Sequence, residues 1–153
     1  MNTKQFMRAS NTVVSSLQIF RGDISTAVVG APGSGKNIML YGLMTLHDPS
    51  EVAFIATEMN VDHAASHVPQ GTTVYQSRYD NFNSLFSIVC RALQAGQKCI
   101  FIEHLNLPVA MQDMDYIGLL EDVVSSHGGR LVFGQQEARK AINKKIEVTR
   151  CQR

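Results

Sequence analysis

Apolar residues along this chain fall into short unbroken runs separated by stretches with helical spacing, and that alternation sets the expected elements. Val52 to Ala56 and Cys99 to Ile102 are continuous apolar runs, the character of strands covered on both faces. Ile24 to Val29, Thr72 to Gln76 and Leu131 to Phe133 are further β-rich runs. Between them lies a helical stretch from Lys36 to about Leu46, with Ile38, Met39, Leu40, Leu43, Met44 and Leu46 on nearly all sides, which predicts burial against a sheet. Residues 61–67 read as a short helix. Leu85, Phe86, Val89, Ala92 and Leu93 keep helical spacing up to Gly96, and Ile117, Leu120 and Val124, with Leu119 and Val123 beside them, do so up to Gly128-Gly129. Strands that alternate with helices imply right-handed crossovers. The expected fold is α/β, a three-layer sandwich with a mainly parallel sheet and helices on both faces.

Length and charge narrow the organisation. A chain of 153 residues, 44% of them hydrophobic, buries one good core and is short for two ordinary domains. Residues 1–16 carry a weak helical pattern behind Asn2 or Thr3, residues 17–140 hold the core, and residues 141–153 form a basic C-terminal segment. From 137 to 153 six Arg and Lys residues face only Glu137 and Glu147, whereas the remaining eight bases face eleven acids. The basic end is either a solvated face or a contact for nucleic acid or an acidic partner. Three cysteines, Cys90, Cys99 and Cys151, show no C-x-x-C spacing, and no charged leader precedes an apolar stretch, so a cytoplasmic setting is expected. No apolar run approaches the length of a membrane span.

The chemistry concentrates at the end of the first strand. Gly30-Ala31-Pro32-Gly33-Ser34-Gly35-Lys36 is a G-x-x-x-x-G-K loop directly after the apolar Ala27-Val28-Val29. Glycines at 30, 33 and 35 let successive backbone N–H groups curl around a polyphosphate, because no Cβ blocks close approach or positive φ. The helix starting near Lys36, including Asn37 and Ile38, aims its positive end at the same anion, and the Lys36 ammonium reaches the outer phosphates. A nucleoside triphosphate is the expected ligand; the alternatives are a glycine-rich turn with no ligand, and a loop that binds nucleotide without hydrolysing it. Asn37 stands where a Ser or Thr normally holds Mg2+; its amide oxygen is a hard donor on a longer, planar arm.

Ligands of open parallel sheets sit beyond the carboxyl ends of the strands, and polar residues gather there. Glu58 closes one apolar strand, Glu103 closes another, and Gln135 and Gln136 follow the last. One carboxylate can activate water, a second can hold magnesium, and an amide can sense a γ-phosphate. His63 and His67, four apart beside Asp62, would share a helix face at metal-ligand spacing, but no third ligand is visible and a polar exposed face is the plainer account.

In this order the motifs resemble the RecA-like branch of P-loop ATPases, which includes recombinases, ring helicases of the DnaB type and KaiC-like proteins. Phe20-Arg21-Gly22-Asp23-Ile24 looks like the family's Gly-Asp-hydrophobic approach to the first strand, and Gly30 to Lys36 matches its phosphate loop. Val52 to Glu58 is similar to the strand ending in the catalytic glutamate, Cys99 to Glu103 falls where the Walker B strand belongs, and Leu131 to Gln136 looks like the strand bearing the sensing glutamine. The resemblance implies ATP as ligand with Mg2+, catalytic roles for Lys36, Glu58 and Gln135, magnesium at Asn37 and Glu103, and a homo-oligomer or larger assembly in which Arg139 reaches a neighbour's γ-phosphate. Asn37 and Glu103 depart from the pattern, both at the metal, where an aspartate is usual for the latter. The function so implied is ATP-driven assembly or movement on a macromolecule, DNA among the options. The alternatives are a nucleotide-binding switch or scaffold, and a small-molecule kinase. A kinase needs acceptor-site arginines, and between residues 47 and 129 only Arg78 and Arg91 occur.

Overall fold

A computed structural model describes residues 25–31, 33–78, 81–105 and 116–135, and the backbone of 145–147. The expected helix within 1–16, the approach at Phe20 to Ile24, and Pro32, Gln136, Arg139 and Cys151 lie outside the described residues.

Six strands form one sheet in the order β3-β2-β4-β5-β1-β6, with every neighbouring pair parallel. In chain order the elements are β1 (Ser25–Val29), α1 (Lys36–Met44), a 3-10 turn (Pro49–Glu51), β2 (Val52–Ala56), α2 (Val61–Ala65), β3 (Thr73–Gln76), α3 (Phe82–Gln94), β4 (Cys99–Ile102), α4 (Tyr116–Ser126), β5 (Arg130–Gln135) and β6 (Lys145–Glu147). β2 and β4 are buried along their whole length, as unbroken apolar runs require of strands covered twice.

Alternate strand residues feed two cores. Ala27, Ala53, Ile55, Ile100, Ile102, Leu131 and Phe133 pack on one face with α3 and α4. Val28, Phe54, Ala56, Phe101 and Val132 pack on the other with α1 and α2. The crossovers through α1 and α2 run one way along the sheet and those through α3 and α4 run the other way. Placement of the two pairs on opposite faces is what a single handedness for all four crossovers produces. The three-layer α/β sandwich expected from the pattern is therefore present.

Local signals set most boundaries. The Asn60 side chain accepts the His63 N–H at 2.7 Å and that of Asn81 accepts the Ser84 N–H at 3.1 Å, capping α2 and α3. Gly96 and Gly128 take positive φ of 87° and 68° just beyond α3 and α4. Two features differ from expectation. α1 stops at Met44, and Ile38 and Leu46 are exposed, because the helix covers the sheet with only the face carrying Met39, Leu40, Leu43 and Met44. β6 pairs with β1 although it falls in the segment read as a basic tail; Lys145-Ile146-Glu147 carries no apolar run to signal it.

Candidate functional site

The loop after β1 continues the sheet for one residue, with the Gly30 N–H donating to the Gln135 carbonyl at 3.0 Å, and then turns sharply. Gly33 and Gly35 hold φ of 75° and 100°, the left-handed region that L side chains avoid. A Cβ on Gly33 would meet no atom within 4 Å, so the space over it is open. Gly35 caps α1 without a side-chain hydrogen bond, leaving the first-turn N–H groups available at the positive end of the helix.

These groups line a cavity of about 450 Å³ together with residues from two other strand ends: Gly33, Gly35, Lys36, Asn37 and Ile38 from the loop and α1, Glu58 after β2, and Glu103 and His104 after β4. The volume lies within the roughly 300–1,000 Å³ range of small-molecule sites. Burial lowers the Lys36 pKa, and the charge of Glu58 acts in the opposite sense. The Glu58 side chain is 53% exposed, so its carboxylate is accessible, and it lies 3.7 Å from His104 Nε2. Burial also lowers the pKa of His104; Glu58 and Glu103 oppose that shift and Lys36 adds to it.

Glu103 is used differently from its neighbours. It is 5% exposed, and its Oε1 accepts the backbone N–H groups of Thr57, Glu58 and Met59 at 2.9, 2.8 and 3.0 Å. Thr57 Oγ1 donates to the His104 carbonyl at 2.9 Å and accepts its N–H at 3.1 Å. From the β3 side, Gln76 Nε2 donates to the carbonyls of Ala56 and Met59, each at 3.2 Å. The turn bearing Glu58 is thus gripped from both neighbouring strands. The sequence pattern gives no sign of Thr57, Gln76 and His104 as supports, since nothing local marks a side chain whose partner is 17 to 47 residues away.

Of the residues expected at a site, the fold brings Gly33, Gly35, Lys36, Asn37, Ile38, Glu58 and Glu103 together. Gln135 is the last residue of β5 and is fully buried; its Nε2 donates to the Leu105 carbonyl at 3.0 Å, and it does not line the cavity. Neither Arg78 nor Arg91 lines it. The exposed His63 of α2 and His67, two residues beyond that helix, have ring centroids 4.6 Å apart in a tilted arrangement, and His67 stacks on Tyr41. Among the described residues no group of three or more His, Cys, Asp or Glu side chains is arranged to hold a metal ion. Nor, among them, is any helix long and apolar enough to cross a membrane.

Fold and cavity define a parallel α/β protein with a glycine-rich, lysine-ended loop at the carboxyl edge of its sheet. No family model matches the chain, and no curated protein matches it.

Proposed function

We propose that the chain binds ATP at the Gly30–Lys36 loop and is a RecA-like ATPase whose turnover drives assembly or movement on a macromolecule. The observation that carries this reading is that one cavity collects the uncapped first turn of α1, the Lys36 ammonium and the accessible Glu58 carboxylate. Backbone N–H groups at a helix N-terminus suit phosphate oxygens, and the lysine adds a point charge toward the outer phosphates. Glu58 stands where a carboxylate can accept a proton from an attacking water. Asn37, which lines that cavity, would offer its amide oxygen to a Mg2+ ion bound with the triphosphate, and the ion would offset phosphate charge. A homo-oligomer with Arg139 in trans, a cytoplasmic setting, and nucleic-acid contact through residues 141–153 complete the reading.

A second reading, a nucleotide-dependent switch with little hydrolysis, is favoured by one observation. Gln135 gives its amide to Leu105 and offers the cavity no group to sense a γ-phosphate. Titration with ATP and a non-hydrolysable analogue, with and without Mg2+ and with phosphate release followed, separates the two. Turnover that is lost in Glu58→Gln while binding persists supports the ATPase, and binding of both nucleotides without phosphate release supports the switch. Loss of binding in Lys36→Ala is expected under either, and wild-type protein that binds neither nucleotide refutes both. Phosphate release stimulated by DNA would point to nucleic acid as the macromolecule.

A further inference from the structure

We propose that Glu103 is a positioning residue that builds the Glu58-bearing turn, and that its Oε1 is committed to that turn instead of to a cation; this rests on the nucleotide site proposed above. Three consecutive backbone N–H groups, those of Thr57, Glu58 and Met59, converge on one oxygen of Glu103. Successive amides aimed at one point form an anion-binding concavity of the kind that holds phosphates, and here the chain fills it with its own carboxylate.

Two consequences follow from the charges. The concavity is closed to a ligand's phosphate, which leaves the loop after β1 as the phosphate-binding surface. The surroundings of Oε1 are positive, the opposite of what a cation needs at that atom, so the three N–H dipoles hold this oxygen for the turn. The remaining contacts serve the same end. The Glu103 N–H continues the ladder to the Ile55 carbonyl at 3.0 Å, and Thr57 and His104 exchange two hydrogen bonds one residue further on. His104 Nε2 then lies 3.7 Å from the Glu58 carboxylate. The end of β4 thereby fixes where the turn after β2 points its acid. This geometry gives the glutamate length a role: an aspartate, one methylene shorter, should lose part of the three-amide contact.

The test compares Glu103→Asp and Glu103→Gln with the wild-type full chain. Amide hydrogen exchange, read residue by residue without ligand, reports the turn directly. Positioning predicts exchange at 57–59 at least about tenfold faster in both variants, with β1 and β5 unchanged. It further predicts turnover lowered roughly 10–100-fold, the usual range for a supporting residue, at unchanged KM and unchanged half-saturating Mg2+. A cation ligand predicts the reverse, and either of its signs overturns the proposal: Glu103→Asp keeping full turnover, or Glu103→Gln raising the magnesium requirement while exchange at 57–59 stays as in wild type. Wild-type protein that binds no nucleotide removes the function proposed above but leaves the exchange arm readable; protection at 57–59 unaltered in both variants then sinks the clamp on its own.

Discussion

Gly134→Ala is the substitution in which the fold and the site meet. Gly134 lies in β5 opposite Val28 of β1, and its φ is outside the left-handed region, so alanine is acceptable to the backbone itself. The obstacle is contact. A Cβ there would sit on the Glu103 carbonyl oxygen, well inside the 3.0 Å that real Cβ atoms keep, with Leu40 Cδ1 at 3.8 Å on another side. Neither strand can yield by a rotamer change. Glu103 is tied to β2 through the Ile55 carbonyl at 3.0 Å, and the Leu105 N–H donates to the carbonyl of Gly134 itself at 2.8 Å. The end of β4 must therefore move. Overpacking of this kind costs about 1–3 kcal/mol, weakening the Leu105 bond adds about 1 kcal/mol, and the lost unfolded-state freedom of glycine returns about 0.4–1 kcal/mol. We expect a net loss of about 2–3 kcal/mol. With a urea m-value of about 1–3 kcal/mol/M, the unfolding midpoint should fall by roughly 0.7–3 M at unchanged m, followed by circular dichroism. Because Glu103 carries the 57–59 turn, amide exchange at those residues should also rise in the native protein. A midpoint equal to wild type, or raised by the entropic gain of alanine, would refute the close approach of β4 to β5.

Thr57→Val keeps the shape of the side chain but removes the hydroxyl that bonds both the N–H and the C=O of His104; about 1–3 kcal/mol should be lost, whereas Thr57→Ser should recover most of it, by the same unfolding measurement. Burial raises the Cys99 thiol to about 11, so at pH 8 only about one molecule in a thousand carries the reactive thiolate. Alkylation mapped by mass spectrometry should therefore modify the half-buried Cys90 and spare Cys99, and rapid labelling of Cys99 in native protein would contradict its burial. Burial is also the main cause holding His47 and His104 below the ordinary imidazole value of about 6.5. Between the folded and unfolded pKa values the unfolded chain binds more protons, so this contribution to stability is complete above about pH 6.5 and is lost as pH falls below it. The urea midpoint should drop between pH 7.5 and 5.5 in wild type, and by less in a His104→Gln variant that already lacks one of the two groups; equal drops in both would remove His104 from the effect.

The linear sequence determined whatever depends on neighbours along the chain. Apolar runs such as Val52 to Ala56 can satisfy their side chains only between two layers, so the buried strands, their alternation with helices and the three-layer α/β arrangement were readable from spacing alone. The glycine loop was equally legible, since Gly33 and Gly35 adopt backbone angles that only glycine takes readily. Placing Lys36 and Glu58 in one cavity followed from both lying at carboxyl ends of parallel strands.

What the tertiary structure decided involves partners far apart in sequence. β6 pairs with β1 across more than a hundred residues, and its three-residue run has no local signature. Gln135, which the order of motifs puts beside a phosphate, is the buried end of β5 and bonds to Leu105, because register sets the direction of a strand residue's side chain and composition does not. Glu103 reads as an acid at a strand end; only the parallel register of β2 with β4 brings three amides onto its Oε1. A residue's identity limits which bonds it can make, but the alignment of neighbouring strands chooses among them.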